Sequence, residues 1–435
     1  MKNQNQHLTT HKFTDYKLPE SLQGAIRNLG FEYCTPIQAK SLPVILNNKN
    51  IIGQANTGTG KTATFLIAVI NGMLLQKNDG PKNPLATRAL ILAPTRELAI
   101  QIHEEAIALT QGTDLTSLVV YGGANYEKQQ NALKKGCDIL IGTVGRIIDF
   151  YKQGLISLKT IETLVLDEAD RMLDMGFIKD VRYILRKLPP PEERLNLLFS
   201  ATINFKVKEF AYELMDNPEI ISVETETEEK NIEQVAYYVA NNEKISLLIG
   251  LLNYYQLPRT IIFANMKVTA EQITAYLQAN DITAQLISGD VPQNKRQKLV
   301  KDFGQGVFPV LVATDVAARG LHIDAVSHVI NYDLPQDPED YVHRIGRTGR
   351  IGSTGHAINF VCESYAFYMP DIEEFVGYKI PMESIASEML SDVKPRAPRK
   401  RTNRPPNRGK KKPTNKKRHK HSGKTSNKPK PQKKD

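Results

Sequence analysis

From residue 11 onward the chain alternates between two textures. Short, continuous apolar runs stand between longer stretches of helical periodicity: Ala89-Leu90-Ile91-Leu92, Leu118-Val119-Val120-Tyr121, Ile139-Leu140-Ile141 and Leu164-Val165-Leu166. Runs of this kind, separated by helices, predict strands of a parallel sheet buried on both faces. The alternation reaches about residue 222, then gives way to the acidic, apolar-poor stretch Glu224 to Lys230. It restarts with Thr260-Ile261-Ile262-Phe263, Ala284-Gln285-Leu286-Ile287, Val310-Leu311-Val312-Ala313 and His328-Val329-Ile330. The pattern predicts two α/β domains, 11–222 and 232–388, with a linker at 223–231 and a flexible polar arm at 1–10. The halves repeat a style and not a sequence.

After residue 388 the pattern stops. Residues 391–435 hold 19 Lys+Arg against Asp392 and Asp435, and their only hydrophobic residues are Val393 and Ala397. Such a segment buries too little apolar surface to offset its ordering entropy, so a disordered tail is expected over 389–435. The tail carries +17 of a whole-chain charge of +10, which leaves −7 on residues 1–390. A basic tail on a mildly acidic body points to a polyanionic partner, nucleic acid before membrane. It reads equally as an RNA anchor or a protein-docking segment. Cys34, Cys137 and Cys362 make an odd number without CxxC spacing, which fits a reducing cytosol. The nine histidines are scattered, and no zinc site is expected. The polar start lacks a signal peptide's apolar core, and the longest apolar stretch, Phe65 to Leu75, is interrupted by Asn71 and Gly72. A cytoplasmic protein without a membrane span is expected.

The first chemistry lies at Ala55-Asn56-Thr57-Gly58-Thr59-Gly60-Lys61-Thr62, between the apolar run Asn50 to Gly53 and the helical pattern from Ala63. Strand, Gly-rich loop and helix form the context of a phosphate-binding loop, whose backbone N–H groups converge on phosphate oxygens at a helix N-terminus. Lys61 is expected to reach the β- and γ-phosphates and Thr62 to ligate Mg²⁺. Farther on, Leu164-Val165-Leu166 delivers Asp167 and Glu168 at the carboxyl end of a strand, the ligand edge of an open sheet. Alone, an Asp-Glu pair is a solvated turn. Downstream of a phosphate loop, Asp167 is expected to hold Mg²⁺ and Glu168 to polarise the attacking water, which makes the reaction a hydrolysis.

Asp167-Glu168-Ala169-Asp170 also spells the signature of a family, and from about residue 11 to 388 the chain resembles a DEAD-box RNA helicase. The resemblance implies two tandem RecA-like parallel-sheet domains with a disordered basic C-terminal tail, and ATP and Mg²⁺ as cofactors. Phe13, with Gly30-Phe31 and Thr35-Pro36-Ile37-Gln38, resembles the adenine-reading element, in which the Gln38 carboxamide pairs with adenine N6 and N7 and selects ATP over GTP. Pro94-Thr95-Arg96, Gly122-Gly123 and Thr143-Val144-Gly145-Arg146 match first-domain RNA contacts, with Val144 where the family has Pro. Ser200-Ala201-Thr202 resembles the motif that couples hydrolysis to strand separation, Ser200 and Thr202 being its hydroxyls.

In the second half, His343 to Arg350 packs three arginines into a short stretch, with glycines at 346 and 349. The resemblance makes Arg347 and Arg350 arginine fingers across the interdomain cleft, worth roughly 10³–10⁵ in rate where such fingers are known. It places Thr314, Arg319 and Arg296 on RNA and Asp315 on the ATP ribose. The implied activity is RNA-dependent ATP hydrolysis that locally opens short duplexes or displaces bound protein, with single-stranded and short duplex RNA held independently of sequence. A DNA translocase would use the same phosphate loop; the Gln38 element and Asp170 lean towards RNA. Met175 to Asp180, Arg194 to Phe199, Gly320 to Ile323 and Cys362 to Ala366 look like the bacterial RhlB branch of the family. That branch is associated with mRNA turnover beside an endoribonuclease, which suggests an RNA degradation complex as partner.

Overall fold

The computed structural model describes residues 8–55, 58–76, 86–223, 232–255, 257–318, 326–349 and 354–396. Its first half carries strands β1 (Ile51–Gln54), β2 (Ala89–Ala93), β3 (Ser117–Val120), β4 (Ile139–Thr143), β5 (Thr163–Leu166), β6 (Leu195–Ser200) and β7 (Glu219–Ser222). The helices are α1 (Glu20–Asn28), α2 (Pro36–Ile45), α3 (Lys61–Leu75), α4 (Arg96–Leu109), α5 (Tyr126–Leu133), α6 (Val144–Lys152), α7 (Ala169–Asp174), α8 (Ile178–Leu185) and α9 (Phe205–Leu214). All strand pairs are parallel, in the order β3-β4-β2-β5-β6-β1-β7. Because successive side chains point to opposite faces, one strand feeds two cores. Ala89, Ile91 and Ala93 of β2 pack with Phe65 and Ile102 on one face, and Leu90 and Leu92 pack with Ile147 and Phe210 on the other.

The second half holds β8 (Ile232–Tyr238), β9 (Thr260–Phe263), β10 (Ala284–Ile287), β11 (Val310–Ala313), β12 (His328–Asn331), β13 (Gly355–Val361) and β14 (Met382–Glu383). Its helices are α10 (Lys244–Tyr255), α11 (Lys267–Ala279), α12 (Gln293–Gly304), α13 (Asp315–Ala318), α14 (Pro338–Ile345) and α15 (Met369–Val376). The parallel order is β10-β11-β9-β12-β13-β8-β14. Counted within each half, the two orders are identical. The repeat of style read in the sequence is thus a repeat of topology.

Both ends of the body extend past the expected boundaries. Thr9, assigned to a flexible arm, donates through N and Oγ1 to Cys34 O at 2.9 Å. Val223 packs on the first core and its N donates to Gln54 O at 3.1 Å. Residues 389–396, assigned to the tail, are strapped across α10 and α11. Ser246 Oγ donates to Ser391 O at 2.6 Å, Lys394 N to Asn280 Oδ1 at 2.9 Å, and Arg396 lies over the Tyr276 ring. Val393, one of the few apolar residues in that stretch, packs against the second core. The linker 224–231 and the tail from 397 lie outside the described residues. No described helix is long and apolar enough to cross a membrane.

Candidate functional site

β1 runs directly into the phosphate loop, which ends at the N-terminus of α3. Asn56 and Thr57 lie outside the described residues. Gly60 caps α3 at φ +90°, in the left-handed region, and a Cβ there would stand 2.5 Å from Gln38 Nε2. Only glycine meets both conditions. Lys61 is the first residue of α3, and its Nζ donates to Ala55 O at 2.6 Å. Gln38 bridges Thr35 to the loop: Oε1 accepts from Thr35 N at 2.8 Å and Nε2 donates to Gly60 O at 3.2 Å. A carboxamide has two lone pairs on its oxygen and two hydrogens on its nitrogen, so each end has a second position for a base edge. Phe13, Gln38, Gly58, Gly60, Lys61, Thr62, Asp167 and Glu168 line one cleft of about 630 Å³. The Phe13 and Phe31 rings stack within it, centroids 6.2 Å apart. Gln101, Glu104 and Glu105 of α4 close its far side, which the sequence did not announce.

β5 ends where Asp167 and Glu168 begin. Asp167 is 2% exposed, and burial pushes its carboxyl up to about 7 against the opposing charge of Lys61. Thr62 and Asp167 are hard oxygen donors, and Mg²⁺ takes only one or two carboxylates alongside phosphates and water. Among the described residues no cluster of three or more His, Cys, Asp or Glu is placed to hold a metal. This donor set fits a phosphate-borne Mg²⁺ and not a protein cage. Glu168 adopts φ +52°, which turns its side chain away from the strand direction. Burial raises its carboxyl, but Arg171, Lys61 and Arg347 outweigh that and hold it below the usual carboxylate range. Arg171 Nη1 donates to its Oε2 at 2.7 Å.

Asp170 joins this turn to the next strand. Its Oδ2 accepts from Ala201 N, Thr202 N and Thr202 Oγ1 at 3.1, 3.0 and 3.2 Å, while its own N donates to Ser200 Oγ at 3.3 Å. Ser200 and Thr202, read as coupling residues, therefore both touch Asp170.

The second half meets this edge. The Arg347 charge bears on Glu168, and Arg347 Nε donates to His343 O at 3.2 Å. His343 in turn feels Asp170 and Arg171. Arg344, 2% exposed, grips Asp315 with Nε and Nη2 at 2.6 Å each, and Asn265 Oδ1 with Nη2 at 2.8 Å. Asp315 thus has a protein partner at the place expected for ribose. Arg319 and Arg350 lie outside the described residues.

The RNA candidates are grouped by the fold. Thr95 caps α4, its Oγ1 accepting from Leu98 N, and Pro94 precedes it at the end of β2. Arg96 lies against Gly122 and Gly123. Thr143 caps α6, and Val144 takes its first position, buried in the core. Gly145 follows on that first turn, and Arg146 lies over the rings of Tyr126 and Phe150, with Nη1 buried and without a hydrogen-bond partner. In the second half, Thr314 is buried at the end of β11, where its O accepts from Ala317 N. Arg296 Nη2 donates to Ala317 O at 2.6 Å, its Nη1 lies 3.8 Å from Glu97 Oε1 of the first half, and its Nε is buried without a partner.

Residues 35–210 match the family model of the DEAD/DEAH box helicases, and residues 243–352 that of the helicase conserved C-terminal domain. The ATP-dependent RNA helicase RhlB of Vibrio vulnificus (strain CMCP6) is 51% identical over 385 residues, 88% of either chain. The same-named helicase of Psychromonas ingrahamii is 51% identical over 390 residues, 89% of this chain and 93% of its own. The chain belongs to the DEAD-box ATP-dependent RNA helicases. Among solved structures, S. cerevisiae Dbp5 bound to RNA and ADP BeF3 shares the helicase fold with TM-score 0.73 and 32% identity, over 86% of this chain and 95% of that one. Mss116p bound to ssRNA and AMP-PNP gives TM-score 0.73 at 28% identity, over 85% and 78%. Sequence reasoning about this DEAD-box helicase missed Arg344, Arg171, His343 and the Asp170 hydrogen bonds. The three arginines of 344–350 were a signal, but nothing local separates the buried Arg344 from Arg347.

Proposed function

We propose that Lys61 and the phosphate-loop amides hold the ATP phosphates, Phe13 and Gln38 the adenine, and Arg347 and Arg350 the γ-phosphate from across the cleft. Thr62 and Asp167 would hold Mg²⁺, which neutralises phosphate charge. Glu168 orients the attacking water, with Arg171 keeping it ionised. RNA crosses Arg96, Gly122-Gly123 and Thr143 to Arg146 on one half, and Arg296, Thr314 and Arg319 on the other. ATP and RNA close the halves together, the closed form opens a short duplex locally, and hydrolysis releases it.

The observation that carries this reading is the one cleft lined jointly by Phe13, Gln38, Gly60, Lys61, Thr62, Asp167 and Glu168. The orphaned Arg146 Nη1 and Arg296 Nε support the RNA path, since a buried guanidinium hydrogen without an acceptor suits a phosphate oxygen. Glu168→Gln should retain ATP and RNA binding and lose turnover. Full turnover in that variant overturns the assignment.

The likeness to RhlB helicases supports a finer reading: mRNA turnover in the cytoplasm, beside an endoribonuclease. Capture from lysate with and without ribonuclease treatment tests it. An endoribonuclease retained after RNA removal is the expected result, and RNA-dependent capture alone counts against a direct partner.

A further inference from the structure

Asn204 stands two residues beyond Thr202, at the N-cap of α9, where its Oδ1 accepts from Val207 N at 3.0 Å. Its other amide atom serves a different partner: Nδ2 donates to Glu339 Oε1, in the second half, at 3.2 Å. Both side chains are half-buried, and neither lines the nucleotide cleft. Glu339 lies in the first turn of α14, whose N-cap Asp337 accepts from Glu339 N at 3.0 Å. The far end of α14 carries Arg344, fastened to Asp315 and Asn265, and leads through Gly346 to Arg347. A hydrogen-bonded helix of this length moves as one body. A contact at its start therefore constrains the arginine just past its end.

We propose that the Asn204–Glu339 hydrogen bond is a cross-cleft latch, a positioning contact that ties the turn after β6 to the helix presenting Arg347. It rests on the reading that Arg347 completes the ATP site when the halves close. The connection forms a ring. Glu168 and Asp170 share one turn, Asp170 holds Ala201 and Thr202, the chain continues to Asn204, and Asn204 holds Glu339. From Glu339, α14 leads to Arg347, whose charge returns to Glu168. A change at the γ-phosphate that shifts the Glu168–Asp170 turn moves Asn204 with it, so the latch opens together with the site. The bond joins the two halves. Its loss falls on the cooperativity between ATP and RNA, and not on the binding of either to its own half. For one hydrogen bond to a carboxylate the expected effect is about tenfold, or about 1.4 kcal/mol.

The test keeps the helix cap intact. Asn204→Asp caps as well as asparagine but sets a second carboxylate against Glu339. RNA affinity is measured by titration without nucleotide and with ADP–beryllium fluoride as the ATP mimic. Wild-type affinity is expected without nucleotide, and RNA binding weaker by about tenfold or more with it. In the double variant N204D/E339Q donor and acceptor are exchanged, and cooperativity should recover. Wild-type cooperativity in N204D, no recovery in the double variant, or weakened RNA binding without nucleotide each overturns the latch. Arg347→Ala in a parallel turnover assay separates the two ideas. Unimpaired hydrolysis there sinks the closure reading itself, whereas lost hydrolysis beside an intact cooperativity in N204D sinks the latch alone.

Discussion

Asp170→Asn probes how the turn after β5 grips the turn after β6. The Asp170 carboxylate is 3% exposed, and every partner it has is a donor: Arg171 N on Oδ1 at 2.9 Å, and Ala201 N, Thr202 N and Thr202 Oγ1 on Oδ2. A site of this kind suits a group that accepts at both ends. The carboxamide has the same shape and volume, so no cavity opens, but it accepts at one end only. The less costly orientation keeps oxygen on Ala201 and Thr202 and points NH₂ at the Arg171 N–H. One buried donor then goes unpaired and the remaining bonds lose their charge assistance, a cost of about 1–3 kcal/mol. Set against an anchored and a released turn, that is roughly 5- to 150-fold in their ratio. The assay counts duplexes separated per ATP hydrolysed in one reaction at saturating ATP and RNA. The ratio should fall by an amount inside that range while ATP and RNA each still bind, because the proposed contacts Gln38, Lys61, Arg96 and Arg146 are untouched. An unchanged ratio together with an unchanged unfolding midpoint would refute the claim that the three bonds from Ala201 and Thr202 hold the turn.

Three further outcomes follow from the geometry. Gly123 has φ +82° and a Cβ there would overlap the Arg96 guanidinium, so Gly123→Ala should weaken RNA binding and spare ATP binding; equal RNA affinity in an anisotropy titration would remove Arg96 from the RNA path. His328, stacked on His356 with centroids 4.7 Å apart, is lowered to about 4 by burial and then by the His356 charge. Its folded pKa lies below the ordinary 6.5, so it adds stability that is complete above that pH and is lost as pH falls towards about 4; His328→Gln should flatten that limb in denaturant melts, and an unaltered limb would contradict it. Removing residues 397–435 should lower RNA affinity and make its salt dependence shallower by about 0.7 for each phosphate that the tail neutralises, and an unchanged slope would show that the tail is no RNA anchor.

What the sequence made legible depended on how local the cause was. β2, β4 and β5 stand out because both faces are covered, which leaves an uninterrupted apolar run. β7 and β14 are edge strands with exposed residues, and Glu219 and Glu383 break any apolar signature. The strap over α10 and α11 escaped for a related reason: apart from Met389 and Val393 it is held by hydrogen bonds, the Lys394–Asp281 ion pair and Arg396 over the Tyr276 ring, which have no periodicity. In the site, Gly60-Lys61-Thr62 and Asp167-Glu168 are contiguous and were readable. Asp170 with Thr202, Asp315 with Arg344 and Asn204 with Glu339 are separated by 32, 29 and 135 positions. Strand order and domain apposition create those pairs, and no spacing rule on a single chain announces them.

The shared strand order explains why one half of the body reads as a nucleotide site and the other does not. β1 leads to α3, which begins at Lys61, and the equivalent β8 leads to α10, which begins at Lys244. β5 ends beside Asp167, and the equivalent β12 ends two residues before Asp333. A lysine that opens a helix and an acid just past a strand therefore recur at the corresponding edge of the second sheet. There they meet each other: Lys244 Nζ and Asp333 Oδ1 are 2.6 Å apart, 4% and 3% exposed, with the Tyr332 and Tyr365 rings over the ammonium and Asn265 N on the other carboxylate oxygen. The loop between β8 and Lys244 contains no glycine, so its amides cannot converge on phosphate oxygens as a Gly-rich loop can. Breaking a buried pair by removing one partner leaves an uncompensated charge, at about 3–5 kcal/mol, and a phosphate competing for Lys244 faces that cost at Asp333. In the first half Lys61 bonds a backbone carbonyl and Asp167 is pushed up to about 7, so a ligand that draws on both relieves burial instead of adding to it. One topology thus carries a receptive edge and a self-satisfied one, and under the proposed mechanism the second half contributes by apposition, through Arg347.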